Sequence, residues 1–279
     1  MPDPMPLMTG KKGLVMGVAN DRSIAWGIAQ QAAAHGAELA FTFQGEALEK
    51  RVRPLAAQLK SSLIVGCDVT DSGSVDNTFA EIQKAWGRLD FVVHAVAFSD
   101  KEQLKGRYLE TTRENFRQTM EISCFSFTDV CRRAEALMPD GGSLLTLSYI
   151  GAERVTPHYN VMGVAKAALE ASVRYLAADM GRNRIRVNAI SAGPIKTLAA
   201  SGIGDFRHIL RWNELNAPMH RNVTIEDVGR AGLYLLSDLS TGVTGEIHHV
   251  DSGYHVVGMM DVNSVAEIAD MLKGVSPGR

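Results

Sequence analysis

The sequence predicts an α/β fold in which a parallel, seven-stranded sheet is covered by helices on both faces. Short apolar runs alternate with longer amphipathic stretches along most of the 279 residues. Strands that are apolar throughout are typical of a sheet buried on both sides. No stretch rich in proline, glycine and serine divides the chain, so we expect one domain with a doubly wound, Rossmann-type topology.

Each element has a local signal. Gly36 marks the end of the first helix, Asp71 is a candidate N-cap of the third, and Thr224 with Asp227 resembles a capping box. The domain is expected over residues 11–261, with tails at 1–10 and 262–279. Strands are predicted at 13–17, 38–43, 62–65, 89–93, 143–147, 186–190 and 246–250, and helices at 23–35, 47–59, 71–86, 111–138, 159–180 and 224–236.

Composition excludes several classes of protein. The formal net charge is −2, which favours neither nucleic acid nor an acidic membrane surface as a partner. No apolar run of about 18 residues predicts a membrane-spanning helix. The three cysteines show neither a disulfide framework nor the spacing of a metal site, so we expect no metal and a reducing, cytoplasmic location.

The first strand and the first helix are joined by a turn suited to an anion. Gly17 ends the strand, and the helix N-terminus at Ser23 would direct backbone N–H groups and a positive dipole end at a pyrophosphate. Ser23 could add a hydroxyl donor, and Gly27 would let the helix lie close to the sheet. The pattern differs from G-x-G-x-x-G, and an ordinary strand–helix turn remains the alternative.

The end of the second strand bears on the choice of cofactor. Gln44 stands where an acid would hold the adenosine ribose, and its carboxamide can still hydrogen-bond the hydroxyls. Glu46 would repel a 2′-phosphate, which favours NADH over NADPH, although Arg22 and Arg51 keep NADPH open. Asp68, after the third strand, could accept from the adenine amine, or it could simply cap a turn.

Two tyrosines and a lysine meet at the carboxyl edge of the predicted sheet. Tyr149 follows the fifth strand, and Lys166 lies seven residues after Tyr159, about 700° around a helix and so on the same face. A neutral tyrosine hydroxyl can donate to a substrate oxygen as negative charge develops on it. The lysine can hold the nicotinamide ribose and lower the pKa of the tyrosine by its charge.

At this point the chain, over roughly residues 8–260, resembles the bacterial NADH-dependent enoyl-(acyl-carrier-protein) reductases, a family of the short-chain dehydrogenase/reductase superfamily. The motifs that carry the resemblance are Gly17-x5-SIAWG (23–27), CDV (67–69), LTLSYIGAER (145–154), YNVMGVAK (159–166) and RVNAISAGPIKTLAASGI (186–203). The resemblance implies an oxidoreductase that reduces the trans-2 double bond of an enoyl thioester in fatty-acid elongation. Hydride would go to C3, and Tyr159 would stabilise the enolate oxygen.

The resemblance also implies a set of site residues. Tyr149, Tyr159 and Lys166 are the expected catalytic residues, and a helical substrate lid is expected at about residues 198–219. The expected cofactor contacts are Gly17, Ser23, Ile24, Gln44, Asp68, Val69, Val96, Lys166, Ile195, Thr197 and Ala199. The expected substrate contacts are Ser99, Tyr149, Tyr159, Met162, Ile203 and Phe206.

The interval between the tyrosine and the lysine separates this reading from its main alternative. Short-chain dehydrogenases that reduce carbonyls, such as 3-oxoacyl reductases, use Tyr-x3-Lys, whereas position 163 is glycine here and Lys166 lies three residues further on. In enoyl reduction the charge builds two carbons away from the carbon that receives hydride, so a longer interval is consistent with it. Ala97 departs from the family's usual glycine, and His94 is expected to be structural.

Partners and a second class of function complete the expectations. The resemblance implies an enoyl-acyl carrier protein or enoyl-CoA substrate and a homotetramer, with the helices at 111–138 and 159–180 as candidate interfaces. A non-catalytic dinucleotide sensor on the same fold is a different possibility. The presence of both tyrosines and Lys166 argues against it.

Overall fold

A computed structural model describes residues 6–198 and 206–273 of the chain. The strands are Lys12–Met16 (β1), Glu38–Phe43 (β2), Leu63–Gly66 (β3), Phe91–His94 (β4), Gly142–Ser148 (β5), Ile185–Ala192 (β6) and Ile247–Val250 (β7). The α-helices are Ile24–Ala34 (α1), Gly45–Gln58 (α2), Ser72–Trp86 (α3), Arg113–Met120 (α4), Ser126–Glu135 (α5), Asn160–Met180 (α6), Phe206–Asn216 (α7), Ile225–Leu236 (α8) and Val265–Lys273 (α9).

The seven strands form one parallel sheet in the order β3-β2-β1-β4-β5-β6-β7, which confirms the predicted fold class. The chain winds outward from β1 in one direction and from β4 in the other. The connections that follow β1 and β4 therefore leave the sheet on opposite faces and open a crevice between them, where ligands of such sheets bind.

Each face of the sheet is buried by its own layer of helices. On one face, α3, α5 and α6 contribute side chains such as Phe79, Phe127 and Leu169. On the other, α1, α2 and α8 contribute Trp26 and Leu235, among others. Burial on both sides explains why the strands are continuously apolar in sequence.

The prediction of one regular helix over 111–138 is wrong at both ends and in the middle, where a π-helical turn interrupts it. Thr112 accepts a hydrogen bond from the Asn115 N–H, so α4 begins at the next residue. Between α4 and α5, residues Glu121–Phe125 form a π-helical turn. In this turn the Ser123 hydroxyl donates to the carbonyl of Phe98 and accepts from its N–H, both at 3.0 Å. The wider turn thus fastens the chain after β4.

Both expected tails contain structure. Met8 is fully buried, and its N–H bonds to the His35 carbonyl at 2.9 Å. At the other end, α9 buries Ile268, and the Asn216 side chain of α7 accepts from the Asp261 N–H at 2.8 Å. The apolar spacing of residues 265, 268 and 272 is the signal that could have predicted α9.

Gly27 serves a different contact from the one expected. A β-carbon at position 27 would lie 2.4 Å from the carbonyl oxygen of Ile225, in α8. A β-carbon at Gly229 would likewise lie 2.5 Å from the Gly27 carbonyl. The close approach that Gly27 permits is therefore between α1 and α8, and not between α1 and the sheet.

Two further properties concern the helices and the cysteines. Across residues 6–198 and 206–273, no helix combines the length and apolar character needed to cross a bilayer. Cys67, Cys124 and Cys131 are all buried free thiols.

Candidate active site

Two adjoining cavities open at the carboxyl edge of the sheet. The first, of about 470 Å³, lies over β1, β2 and β3, and the second, of about 300 Å³, lies over β5 and β6. They share Ala95, Ala97 and Phe98, which follow β4. The site therefore spans the crevice that the sheet topology creates.

The turn after β1 has the geometry of an anion-binding loop. Gly17 has a φ of +92°, and a β-carbon there would lie 2.1 Å from the Ala95 carbonyl, so only glycine fits. The Ser23 hydroxyl accepts from the N–H groups of Ala19 and Asn20 at 3.0 and 3.1 Å. Ser23 thus shapes the loop in front of α1, whereas the sequence suggested a direct donor. The eleven-residue α1 presents its N-terminus to this loop.

The far end of the first cavity is held by a bond between two predicted site residues. Gln44 donates from Nε2 to Asp68 Oδ2 at 2.9 Å, and Thr70 donates to Asp68 Oδ1 from both its N–H and its hydroxyl. Burial alone would raise the pKa of Asp68, but the bonds from Thr70 and Gln44 lower it. Val69 and Val96 line the same cavity. The cavity thus offers hydrogen-bond acceptors and apolar walls, as an adenosine needs.

Tyr159 is the N-cap residue of α6 and stands between two residues with left-handed backbones. His158 has a φ of +60° and Asn160 a φ of +39°. Asn160 is fastened by its Nδ2, which donates to the carbonyls of Leu104 and Gly106. Such conformations are uncommon outside glycine and are typical of functional sites. Here they turn the Tyr159 ring into the second cavity.

The two tyrosines contact each other edge to face. The ring centroids of Tyr149 and Tyr159 are 5.0 Å apart at 69°, and both rings line the second cavity. Burial raises the pKa of Tyr159 well above its ordinary value, with smaller contributions from Tyr149 and Glu170. The expected lowering by Lys166 is therefore wrong: burial dominates, and the Tyr159 hydroxyl stays protonated and able to donate.

Lys166 lies on the same face of α6 and is buried. Its Nζ donates to the backbone carbonyl of Leu147 at 2.7 Å, and it lines the second cavity. Burial lowers the pKa of Lys166 to about 8, while Cys124 and Glu170 act in the opposite direction. Among the described residues no hydrogen bond joins Lys166 to Tyr159, so the ammonium and the hydroxyl stand as separate donors.

The remaining predicted contacts divide into three groups. Ile24, Ile195, Thr197, Met162 and Phe206 line the second cavity. Ser99 lines it too, but its hydroxyl is already bonded to Asn115 and Thr119. Ala199 and Ile203 lie outside the described residues. Within the predicted lid, residues 206–216 form α7, and its first residue, Phe206, lines the cavity.

Sequence reasoning missed one polar pair beside the site. The hydroxyl of Ser148 donates to the carboxylate of Glu170, and both residues are buried. The spacing of Glu170, one helical turn after Lys166, is the signal that could have found it. His94 is buried as expected of a structural residue, with Nε2 at 2.9 Å from Ser126 Oγ and Nδ1 at 3.4 Å from Thr146 Oγ1.

Comparison with known proteins identifies the family of this chain. The sequence model of the family described as Enoyl-(Acyl carrier protein) reductase matches residues 17–255. Over 258 residues the chain is 67% identical to enoyl-(acyl-carrier-protein) reductase (NADH) 1 of Rhizobium meliloti, covering 92% of this chain and 95% of that protein. The crystal structure of the enoyl-(acyl-carrier-protein) reductase of Anaplasma phagocytophilum in complex with NAD is 63% identical, with a TM-score of 0.89 and coverage of 92% and 98%. The Bacillus cereus enoyl-acyl carrier protein reductase, solved with NADP+ and indole naphthyridinone, is 52% identical, with a TM-score of 0.89 and coverage of 91% and 99%. The chain therefore belongs to the enoyl-(acyl carrier protein) reductase family.

Proposed function

We propose that this protein reduces the trans-2 double bond of enoyl-acyl carrier protein thioesters with NADH, in the last step of each round of fatty-acid elongation. The observation that carries the proposal is the position of Tyr159 and Lys166 in one mostly apolar cavity that adjoins the cofactor crevice. An acyl chain needs such apolar walls, and the reaction needs a hydroxyl donor beside them.

The residues that line the crevice suit NADH. The N-terminus of α1 and the loop after Gly17 would hold the pyrophosphate, and Gln44 with Asp68 would hold the adenosine. Ile195 and Thr197 would hold the carboxamide and the pyrophosphate, and Ala199, outside the described residues, stays a predicted cofactor contact. When bound, NADH supplies the hydride that goes to C3 of the substrate.

Tyr159 then acts on the other end of the reacting system. Its hydroxyl donates to the thioester oxygen, on which negative charge develops. Because burial raises its pKa, the phenol remains a donor across the neutral range. Tyr149, in edge contact with Tyr159, lines the substrate site and limits where that oxygen can lie.

Lys166 orients the cofactor. A protonated Nζ can donate to the ribose hydroxyls and to the Leu147 carbonyl at once, because an ammonium has three donors. This holds the nicotinamide end over the second cavity without any contact to the substrate. The apolar walls and a bound acyl chain would exclude water there, which would strengthen each donor.

The alternative, a carbonyl-reducing enzyme such as a 3-oxoacyl reductase, meets a steric obstacle. Its Tyr-x3-Lys pattern would place lysine at position 163, where a β-carbon would lie 2.7 Å from the Gly151 carbonyl oxygen. The backbone would have to move before any side chain could stand there.

The assembly and the boundaries are part of the proposal. The proposed reductase domain spans residues 11–261, with the lid at about 198–219, and Met8 and α9 pack on it from outside these bounds. The protein is proposed to be a cytoplasmic homotetramer. Support for assembly comes from aromatic side chains exposed on the predicted interface helices, namely Phe116, Phe125 and Tyr175. Light scattering of the wild-type protein and of Tyr175→Glu tests this: a tetramer is expected for the first and smaller species for the second. A wild-type monomer would contradict the assembly.

The first experiment follows NADH absorbance with purified protein and crotonyl thioesters of acyl carrier protein and of coenzyme A. Fast oxidation of NADH with the enoyl substrates, and slow or none with a 3-oxoacyl thioester, is the expected result. Turnover with the oxo substrate alone would favour the carbonyl reductase. Tight NADH binding with no turnover of either would favour a sensor.

A further inference from the structure

We propose that Glu170 is a positioning residue for this reaction, whose buried carboxylate provides the counter-charge for Lys166 and anchors the strand end that carries Tyr149. The proposal rests on the assignment of Lys166 to the cofactor ribose made above. Glu170 itself does not line either cavity, so it would act through Lys166 and Ser148.

The geometry is a double attachment between one strand end and one helical turn. At the end of β5, the Leu147 carbonyl accepts from Lys166, and the hydroxyl of the next residue, Ser148, donates to Glu170. Lys166 and Glu170 are four residues apart on α6 and so share a face. The next residue after this pair of attachments is Tyr149, which enters the substrate cavity.

The charges around Lys166 leave Glu170 as its counter-ion. Lys166 and Glu170 are exposed by only 7% and 6%. The Cys124 thiol, from the π-helical turn, acts on Lys166 more strongly than Glu170 does, but burial raises the pKa of Cys124 and so keeps this thiol uncharged at neutral pH. His94, on which Lys166 acts, is kept neutral by burial. Among the described residues Lys166 forms no ion pair. The carboxylate of Glu170 is the charged acid that acts on its ammonium. Its charge acts to raise the pKa of Lys166 and of Tyr159.

The surroundings of Glu170 fit a carboxylate that stays charged. Burial raises its pKa, while the Ser148 hydroxyl bond lowers it. Among the neighbouring charges, Glu153 raises that pKa, and His249 and Arg174 lower it. Glu153 is itself bonded to His249, with Oε1 and Nε2 2.7 Å apart. Burial outweighs the other influences, so the pKa of Glu170 is raised overall, and the bond from Ser148 is the largest influence that favours the charged form.

The test is the pH dependence of kcat and of the Kd for NADH in Glu170→Gln. Glutamine keeps an oxygen acceptor for Ser148 but removes the charge. Lys166 should then lose its proton earlier, so the basic limb of both profiles should move from near pH 8 to lower pH by about one unit. A merely structural role would lower the amplitude and leave the limb in place. An unmoved limb in folded Glu170→Gln would overturn the proposal.

Three further variants keep the result unambiguous. Glu170→Asp retains the charge and should keep the limb near its wild-type position, which remains testable if the glutamine variant does not fold; a shift of a full unit there would also contradict the proposal. Asp179→Asn, exposed on the same helix, is the matched control and should leave the profiles unchanged.

Lys166→Ala should lose NADH affinity. If it does not, the assignment of Lys166 is wrong, whereas loss in Lys166→Ala with an unmoved limb in Glu170→Gln refutes only the role of Glu170.

Discussion

Gly163 lies directly against the backbone of Gly151: a β-carbon on Gly163 would stand 2.7 Å from the Gly151 carbonyl oxygen. A β-carbon on Gly151 would in turn stand 2.4 Å from Cδ1 of the Tyr159 ring. The helix, the short turn at 150–152 and the tyrosine ring are therefore packed with no space for a side chain between them. This packing excludes a lysine at position 163, four residues after Tyr159, because that turn of α6 must carry glycine.

Gly151→Ala should displace the Tyr159 ring. We expect kcat to fall about 10- to 100-fold, because a shift of roughly 1 Å in a catalytic group has an effect of this size. The Kd for NADH should change little, since Gly151 lines neither cavity. The measurement is steady-state kinetics beside NADH fluorescence titration. Gly242→Ala, at a position with nothing within 4 Å, is the control and should behave as wild type.

Tyr159→Phe should lose most turnover and keep NADH binding. Only the oxyanion donor is removed, and donors of this kind contribute about 10²- to 10⁴-fold. Tyr149→Phe should have a smaller effect, because we assign it to positioning. Single-turnover kinetics with pre-bound NADH would separate chemistry from binding. Unchanged turnover in Tyr159→Phe would contradict its assignment as the donor.

Glu46 should make NADPH the weaker cofactor. Its exposed carboxylate is at the start of α2, beside Gln44, and pairs with the ammonium of Lys50 at 3.8 Å. Glu46→Gln should narrow the ratio of the two dissociation constants by about threefold, and less at high salt, because exposed charges are screened. Glu226→Gln, exposed on α8, should leave the ratio unchanged. Equal affinity for both cofactors in the wild type would contradict the preference.

His94 should make the fold sensitive to acid. Burial, with a smaller effect of Lys166, lowers its folded-state pKa from 6.5 to about 3. Because the unfolded chain binds the proton more readily, stability is present above pH 6.5 and is lost as the pH falls from there toward 3, at about 1.4 kcal/mol per pH unit for this one group.

The check on His94 is thermal unfolding at fixed protein concentration. Between pH 7.5 and 5.5 the wild-type Tm should fall more steeply than that of His94→Gln, which has no proton to gain at this position. The variant should also start lower at pH 7.5, because the bond to Ser126 is altered. Parallel curves for the two proteins would show that His94 does not control the acid limb.

The sheet was predictable because its signals are local and repeated. Each strand is a short apolar run, and caps such as Asp71, which accepts from the Gly73 N–H, lie where the sequence placed them. The capping box of Thr224 and Asp227 is likewise present. The positions of Tyr149, Tyr159 and Lys166 in one cavity were predictable from their place after β5 and on one helical face.

What the sequence did not predict depends on contacts between distant segments. The π-helical turn follows from the attachment of Ser123 to Phe98, 25 residues earlier. Gly27 meets Ile225, which no local pattern links to it. The pKa of Tyr159 is set by burial among residues of several elements, so the charge of Lys166 alone pointed in the wrong direction.

The left-handed residues on either side of Tyr159 favour turnover at the expense of the stability of the folded chain. A non-glycine residue held with positive φ costs on the order of 1–3 kcal/mol, and His158 and Asn160 are both so held. Glycine at position 158 would relieve that cost in the folded chain, yet it would also free the segment that aims the phenol. Selection for heat resistance alone would therefore favour residues that remove this backbone strain and would slow the enzyme. Selection for turnover would preserve the strain.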